Sequence, residues 1–383
     1  MVMAAMKVVV IGAGILGQAH ALAARERGYD VTVLERSERP LGASVRNFGT
    51  LWPIGCTPGP EREQALFGVA RWRALGAQLG IDVRARGALS LAYRDEARQL
   101  LDEFVTQAHM ADGGFELLTP EDAARRFPAV QPDGLAGALY SDAEAVVPPA
   151  TAMARLAQHL AAEGCALHFE TVAVRVHEDA VECSDGRTFP FDRLLIAAGE
   201  DTRTLFPREI AAAEVRRCKL QMMRTVPQPA GFDLGAIMVS DLTLCHYPAF
   251  RDCPSRAQLQ ARLDRELPRH REHGVHVIAA QHPDGSLVLG DSHEYASGDF
   301  SPDLLMDVDD LVLAALRDFV RVPDLRIAAR WPGFYLKSTN DTAQQVLQPR
   351  ERVQLITAMG GLGMTLSWGL AERTVTAWQE QPA

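Results

Sequence analysis

The sequence lacks the features that would assign the protein to a membrane, a nucleic acid or a metal. No apolar run reaches the roughly 18 residues that a membrane-spanning helix needs. The formal net charge is −10 at pH 7, which argues against nucleic acid as the main partner. The six cysteines are scattered, and no His/Cys cluster has zinc spacing. We therefore expect no membrane span, no nucleic acid partner, no metal site and free thiols in a reducing cytoplasm.

Lysine is also scarce, because only Lys7, Lys219 and Lys337 are present among 39 basic residues. The two internal lysines are therefore worth following as possible partners of an anion. Repeats and low-complexity segments are absent. Lys7 and the apolar run after it superficially fit a secretory signal. However, three glycines interrupt that run, so we expect a cytoplasmic protein.

The most specific signal lies near the amino terminus. Val8–Ile11 are typical of a buried parallel strand, and the string GAGILG at 12–17 follows with the G-x-G-x-x-G spacing. These glycines permit a tight turn, the approach of a pyrophosphate and close helix packing. A helix ending at Gly28 and a strand over Val31–Leu34 then lead to Glu35. That acid lies near the spacing of about 20 residues expected of a ribose ligand. The stretch predicts a dinucleotide site; the alternative is a glycine-rich turn in another α/β unit.

The rest of the chain alternates between helix and strand signals after a Gly/Pro-rich loop at 36–60. Apolar periodicity and caps predict helices at 61–80, 94–111, 120–127, 149–162, 255–273, 303–320 and 364–378. Apolar or alternating runs predict strands at 88–92, 134–140, 167–170, 172–177, 180–183, 194–199, 215–226, 236–248, 275–281, 286–291 and 353–358. The runs after residue 215 indicate an antiparallel sheet in a separate unit.

A second glycine-rich loop near the carboxy terminus favours a flavin over a nicotinamide. The string MGGLG at 359–363 precedes the last helix. The start of that helix would place free N–H groups and a partial positive charge near Met364 and Thr365. Such a helix start stabilises the negative charge of a reduced flavin. The alternative is a turn needed only for packing.

The order of these pieces resembles the D-amino-acid-oxidase-like superfamily of FAD-dependent oxidoreductases, which includes glycine and sarcosine oxidases. The resemblance rests on Gly12–Glu35, Ser44–Gly49, Ala197–Gly199 and Gly360–Thr365. It implies an α/β (α+β) fold with a Rossmann-type FAD-binding domain and an inserted substrate domain built on an antiparallel sheet. The FAD-binding domain would be discontinuous. The implied domain ranges are 1–83, 146–214 and 328–383 for FAD, and 84–145 and 215–327 for the substrate.

Four strings also resemble a narrower clade associated with bacterial aminophosphonate catabolism. They read ASVRNFGTLWPIG, LTLCHYPAF, LVLGDSHEY and GGLGMTLSWGLAE. The resemblance implies FAD-dependent oxidation of a small primary or secondary amine, with hydride transfer to flavin N5 and hydrolysis of the imine. The implied substrate is an aminophosphonate such as N-methyl-2-aminoethylphosphonate, which would give phosphonoacetaldehyde. Oxygen or another acceptor would reoxidise the flavin.

The resemblance and the motifs together give a set of candidate site residues. FAD is expected to contact Gly12, Gly14, Ile15, Leu16, Gly17, Glu35, Arg36, Ser44, Arg46, Asn47, Phe48, Gly49, Val172, Ala198, Gly199, Trp331, Gly333, Gly361, Leu362, Gly363, Met364 and Thr365. The catalytic candidates are Lys337, His246, Arg46 and His293, and the substrate-binding candidates are Trp52, Tyr247, Tyr335 and Lys219. Sarcosine oxidases attach the flavin to a Cys in the segment matching Gly333–Tyr335; no Cys stands there, so non-covalent FAD is expected.

One departure from the family pattern bears on the substrate. The family anchors a substrate carboxylate with Lys or Arg just after the carboxy-terminal glycines, where this sequence has Thr365. An ordinary α-amino acid is therefore in doubt, although a glycine-, sarcosine- or D-amino-acid-type oxidase or dehydrogenase stays an alternative. A non-catalytic flavin-binding subunit is another. His246, expected on a strand, and His293 could equally be structural, and the aromatic candidates could belong to the core.

Overall fold

The computed structural model describes residues 5–107, 114–296, 298–339 and 344–380. These residues form twenty β-strands and eleven α-helices. The strands are β1 Lys7–Ile11, β2 Asp30–Leu34, β3 Thr50–Leu51, β4 Ala88–Ala92, β5 Phe115–Leu118, β6 Gly137–Ser141, β7 Ala145–Val146, β8 Ala166–His168, β9 Ala173–Val176, β10 Ala180–Cys183, β11 Thr188–Pro190, β12 Arg193–Ile196, β13 Val215–Thr225, β14 Ile237–Val239, β15 Ile278–Gln281, β16 Leu287–Gly290, β17 Glu294–Ala296, β18 Ile327–Ser338, β19 Gln345–Arg350 and β20 Val353–Thr357. The helices are α1 Ile15–Glu26, α2 Pro60–Leu79, α3 Asp95–Gln107, α4 Pro120–Arg126, α5 Pro149–Ala162, α6 Pro207–Ala212, α7 Asp241–Leu244, α8 Arg256–Glu266, α9 Pro268–Glu272, α10 Met306–Arg317 and α11 Gly363–Glu380.

The first sheet has six strands in the order β19-β20-β12-β1-β2-β8. Five of these strands run parallel, and only β19 pairs antiparallel. Four of the five β1 residues are buried, as expected of a strand covered on both faces. The helix α1 packs against both α5 and α11. The predicted strand–helix–strand unit is therefore the centre of this sheet.

The second sheet has nine strands in the order β17-β13-β16-β15-β14-β4-β6-β5, with β18 paired along β13. All its pairs are antiparallel except the parallel pair of β14 and β4. Its strands come from the two stretches predicted to form the substrate domain, together with β18. The β13–β18 ladder runs from Val215↔Ser338 to Thr225↔Ile327. The predicted mixed α/β class, with an antiparallel sheet beside a dinucleotide-type sheet, is confirmed.

Two predicted elements are wrong in detail. The stretch 236–248 was expected to be one strand, but β14 stops at Val239 and α7 follows. The Asp241 carboxylate is buried there and accepts a hydrogen bond from Tyr93 N at 3.0 Å, which holds the chain in a helical turn. The helix expected over 255–273 is two helices, because Pro268 has no N–H to donate and starts a new helix.

Other predictions of element ends agree with the structure. Thr119 caps α4, since its hydroxyl accepts from Asp122 N at 3.1 Å. The helix α5 begins at Pro149 and ends at Ala162 as expected. The part of the predicted 94–111 helix beyond Gln107 lies outside the described residues. None of the described helices is long and apolar enough to span a membrane.

Candidate dinucleotide and substrate site

A cavity of about 690 Å³ is lined by residues of both large sheets and their loops. Its volume is within the range of about 300–1,000 Å³ typical of ligand pockets. The lining includes the first glycine turn, the loop after β2, the end of β12, the middle of β18 and the turn before α11. The three glycine-rich or small-residue segments singled out in the sequence therefore meet in one cavity.

The first glycine turn leaves no room for side chains. Gly12 has φ +101°, and a Cβ on it would lie 2.3 Å from Ala197 O at the end of β12. A Cβ on Gly17 would lie 1.8 Å from Gly12 O, so the helix packs directly on the turn. Gly14 lines the cavity, whereas Gly17 lies behind it. This is the division of roles predicted for a pyrophosphate-binding turn.

Two polar side chains complete this turn. Glu35 Oε2 accepts from Ala13 N at 2.8 Å, and Oε1 accepts from Ser37 N at 3.0 Å. Ser44 Oγ accepts from Ile15 N at 2.9 Å, so it satisfies one of the free N–H groups at the start of α1. Both side chains line the cavity. The carboxylate is thus fixed beside the turn, where a ribose hydroxyl would be held.

The loop after Ser44 is shaped by its own polar groups. Asn47 Nδ2 donates to Ala43 O and its Oδ1 accepts from Gly49 N, each at 2.7 Å. Gly49 has φ +74°, and a Cβ on it would lie 2.1 Å from Val147 O. Arg46 and Phe48 line the cavity, and Gly49 does not. Within the described residues the Arg46 guanidinium forms no hydrogen bond or ion pair, so it can bind a ligand.

At the carboxy-terminal turn, Gly361, Leu362, Gly363 and Met364 line the cavity. The helix α11 begins at Gly363, and its first N–H groups have no partner within the helix. Thr365 lies behind the lining, where its hydroxyl accepts from Trp52 N at 2.9 Å. Thr365 is therefore a packing residue in this structure and holds the Trp52 backbone in place.

A cluster of histidines and aromatic residues forms another part of the lining. The rings of His246 and His276 are stacked with centroids 3.9 Å apart, and His276 and His293 are stacked at 5.1 Å. Tyr247 lies edge-on to His246, with centroids 5.0 Å apart. Further lining residues are Trp52, Asp291 and Tyr335. We call His246, His276, His293 and Asp291 the histidine cluster.

Burial and charge set the protonation of the histidine cluster. Burial lowers the pKa of His293 to about 4, although Asp291 opposes the effect. Burial, together with the neighbouring His276 and His293, also holds the pKa of His246 well below its ordinary value. Burial would raise the pKa of Asp291, yet the two adjacent histidines bring it below its ordinary value. At neutral pH, His246 and His293 are therefore uncharged and Asp291 is a carboxylate.

The phenols beside the cluster stay protonated. Burial raises the pKa of Tyr247 and of Tyr335 well above the ordinary value, and the Cys218 thiol adds to the effect at Tyr335. Both hydroxyls are therefore hydrogen-bond donors over the whole physiological range.

The two internal lysines lie outside the cavity lining. Lys219 Nζ donates to Ser301 O and Asp303 O, both at 2.7 Å, and the residue is 6% exposed. Lys337 Nζ lies 3.5 Å from the Tyr295 hydroxyl. Lys219 therefore fixes the loop before α10, and neither lysine is part of the cavity lining.

Some of the remaining predicted residues line the cavity and others do not. The lining also includes Ile15, Leu16, Arg36, Ala198, Gly199 and Gly333, whereas Val172 and Trp331 are outside it. The sequence did not single out His276 or Asp291. The available signal was the D-S-H string after an apolar run, with Asp291 two positions before the candidate His293.

Comparisons with known proteins agree with this geometry. A family model described as FAD dependent oxidoreductase (DAO) matches residues 7–377. The chain is 25% identical to an opine oxidase subunit of Rhizobium meliloti over 346 residues, which cover 86% of this chain and 82% of that protein. Its fold is similar to that of glycine oxidase from Geobacillus kaustophilus, with a TM-score of 0.78, 20% identity and coverage of 99% and 96%. It is also similar to that of iminodiacetate oxidase from Chelativorans sp. BNC1, with a TM-score of 0.71, 20% identity and coverage of 98% and 96%.

The match to the family model extends over nearly the whole sequence, and the cavity has the glycine turn, acid and second helix start that the dinucleotide requires. The fold comparisons cover both sheets rather than the dinucleotide-type sheet alone. The chain therefore belongs to the DAO family of FAD dependent oxidoreductases, and it is an FAD-dependent enzyme.

Proposed function

We propose that the protein oxidises a small primary or secondary amine that carries an anionic group, most closely an aminophosphonate. N-methyl-2-aminoethylphosphonate would give phosphonoacetaldehyde and methylamine. The observation that carries this proposal is the residue after the carboxy-terminal glycine turn. Thr365 stands where the resembling oxidases place the cation for an α-carboxylate, and its hydroxyl is used by Trp52 N. The pocket thus lacks that anchor and suits an anion held in another way.

The residues of the cavity fit FAD. Gly12 and Gly17 form a turn that any Cβ would obstruct, and Glu35 and Ser44 line the cavity beside it. FAD held there would supply the oxidising chemistry, as the acceptor of a hydride equivalent from the carbon next to nitrogen, and the imine product would be hydrolysed by water. The helix start at Gly363 would hold the negative charge that develops on the reduced cofactor. The segment Gly333–Tyr335 contains no cysteine, so we propose that FAD is bound non-covalently.

The histidine cluster would favour the reactive form of the amine. An ammonium group has no lone pair, so the nitrogen must lose a proton before its C–H bond is oxidised. His246 and His293 are uncharged at neutral pH because burial lowers their pKa values. The same burial would lower the pKa of a bound ammonium group and so favour the neutral amine. Trp52, Tyr247 and Tyr335 would exclude water from the same space.

A second candidate is an amino acid or imino acid oxidase. The similar proteins named as glycine oxidase, iminodiacetate oxidase and an opine oxidase subunit favour it. In that case Arg46 would hold the carboxylate, since it lines the cavity and has no partner within the described residues. A flavin-binding subunit without its own catalysis stays the alternative of another class.

Anaerobic bleaching of the bound flavin tests these candidates directly. The purified protein should be yellow and should lose its flavin absorbance at about 450 nm when mixed with N-methyl-2-aminoethylphosphonate. Glycine, sarcosine, D-alanine and iminodiacetate serve as the competing panel. Faster bleaching by amino acids, by orders of magnitude in kcat/KM, would refute the aminophosphonate proposal. A yellow protein that no amine bleaches would refute amine oxidation altogether.

A further inference from the structure

We infer that His246, His276 and His293 form a binding site for a divalent transition-metal ion at the substrate end of the cavity. One ligand nitrogen from each of the three imidazoles lies within 4.8 Å of the others. Imidazole nitrogen is a preferred ligand of zinc and its neighbours in the periodic table. Sequence spacing alone predicted no metal site, because the three histidines come from separate segments that the second sheet brings together.

Two of the three imidazoles are held as metal ligands usually are. A ligating histidine commonly donates its other N–H to a carboxylate or a backbone carbonyl, which fixes the ring and raises its basicity. His293 Nδ1 donates to Gly274 O at 3.1 Å, which leaves Nε2 for the ion. His276 Nε2 lies 3.0 Å from Asp291 Oδ1, which leaves Nδ1. The Thr243 hydroxyl is 3.4 Å from that Nδ1 and donates to Val277 O at 3.1 Å.

The third imidazole can move to complete the site. The His246 ring has no hydrogen-bond partner within the described residues, and it follows the short helix α7. Two nitrogens on one tetrahedral zinc ion are about 3.4 Å apart, given Zn–N bonds of about 2.0–2.1 Å. The three nitrogens lie within 4.8 Å of one another, and a rotation of the His246 ring out of its stack on His276 would bring them to the tetrahedral spacing. A ring without a fixed partner can do so at little cost.

Charge also favours a cation in this position. Asp291 is 4% exposed, and its Oδ1 lies 3.0 Å from His276 Nε2 and 3.7 Å from His293 Nδ1. An uncompensated buried carboxylate is costly. A divalent ion among the three imidazole rings would place a compensating positive charge beside this carboxylate.

An open coordination position follows from the number of ligands. Three protein ligands on zinc leave a fourth position for water or substrate. All three histidines line the cavity, so this position would be reached by a ligand bound there. The ion would then hold the anionic group of the substrate, the role that Thr365 cannot fill. This role, unlike metal binding itself, rests on the proposed function.

Zinc is the probe of choice because it has no redox chemistry that could oxidise the flavin. Untagged, FAD-loaded protein is treated with a chelator, dialysed against buffered Zn²⁺ at a free concentration of about 1 µM and analysed for bound metal. We expect about one zinc ion per chain, and about 100-fold weaker binding in His276→Asn and His293→Asn. The exposed His177, which contacts Glu182, provides the control variant His177→Asn, with unchanged affinity.

Zinc K-edge absorption of the wild-type protein gives a readout that does not depend on the folding of variants. A shell with about three imidazole ligands supports the site. An oxygen-only shell, zinc well below one equivalent, or equal affinity in all variants would overturn it. Methylphosphonate should perturb the flavin spectrum only in the zinc-loaded protein, and an equal perturbation without zinc would refute the anion-binding role. Failure of every amine to bleach the flavin, with zinc still bound, would refute the proposed function and leave the metal site intact.

Discussion

At the scale of single residues, Glu35 is fixed beside the first glycine turn. Its two carboxylate oxygens accept from Ala13 N and Ser37 N. Hydrogen bonds to a charged group contribute about 1.5–3 kcal/mol each. Glu35→Ala should therefore weaken FAD binding by about 10- to 100-fold, measured by titrating apoprotein with FAD. The exposed Glu38, which pairs with its neighbour Arg39, gives the control Glu38→Ala. Unchanged flavin affinity in Glu35→Ala would remove this residue from the ribose role.

Gly17 matters because it has no side chain, which allows α1 to pack directly on the glycine turn. Its Cβ would meet Gly12 O at 1.8 Å, so Gly17→Ala must push α1 away from the turn. Overpacking of this kind costs about 1–3 kcal/mol, and it should also reduce FAD occupancy. Chemical denaturation and flavin content check both effects. Apart from its chain neighbours, none of the described residues has an atom within 4 Å of a Cβ on Gly298, so Gly298→Ala should behave like wild type. Full occupancy in Gly17→Ala would contradict the steric argument.

At the scale of elements, the short helix α7 comes just before His246 of the histidine cluster. Asp241, on α7, is 2% exposed and pairs with Arg94 just after β4 at 2.8 Å. Burial raises the pKa of Asp241, against the opposing effect of Arg94. Breaking a buried pair from one side costs about 3–5 kcal/mol.

Asp241→Ala should therefore lower the free energy of unfolding by about 3–5 kcal/mol, measured by urea denaturation. Asp307 forms a comparable pair with Arg269, but both side chains are more than half exposed. Asp307→Ala should cost less than about 1 kcal/mol. Equal losses in the two variants would show that the Asp241 pair does not anchor α7.

The elements also show what the sequence could and could not predict. The strand–helix–strand unit was predictable because glycine spacing, apolar runs and a terminal acid constrain the same residues. The strand expected over 236–248 was wrong because its local pattern is apolar, whereas contacts with the distant Tyr93 and Arg94 hold Asp241 at the start of a helix. The sequence singled out His246 and His293 of the histidine cluster, but it did not predict that they lie together with His276 and Asp291. The members of the cluster lie on separate segments, and only the pairing of β15 with β16 brings His276 next to Asp291.

At the scale of the whole molecule, buried uncharged histidines make stability depend on pH. His20 in α1 is fully buried, and burial lowers its pKa to about 4 from the ordinary value of 6.5. As pH falls through 6.5, the unfolded chain binds a proton that the folded chain does not bind until about pH 4. The free energy of unfolding is therefore highest above pH 6.5 and decreases toward pH 4.

His20 alone should lower the free energy of unfolding by about 2 kcal/mol when the pH falls from 8 to 5. The free energy of unfolding should decrease from pH 8 to pH 5 in both proteins, but by about 2 kcal/mol less in His20→Gln than in the wild type. Guanidinium unfolding at the two pH values measures this difference. The exposed His177→Gln serves as the control and should keep the wild-type dependence. A His20→Gln variant with the full wild-type loss would place the acid sensitivity elsewhere.

The alternation of the chain between its two large sheets has a consequence for how the enzyme is made. The first sheet is formed by three separate sets of strands, which are β1 and β2, β8 and β12, and β19 and β20. Strands of the second sheet lie between these sets in the sequence. The cover of α1 is completed only by α11. Such long-range pairings fold slowly. During translation the FAD site therefore stays incomplete until Gly363 and the helix after it have left the ribosome, so FAD can be captured only after that helix has been synthesised.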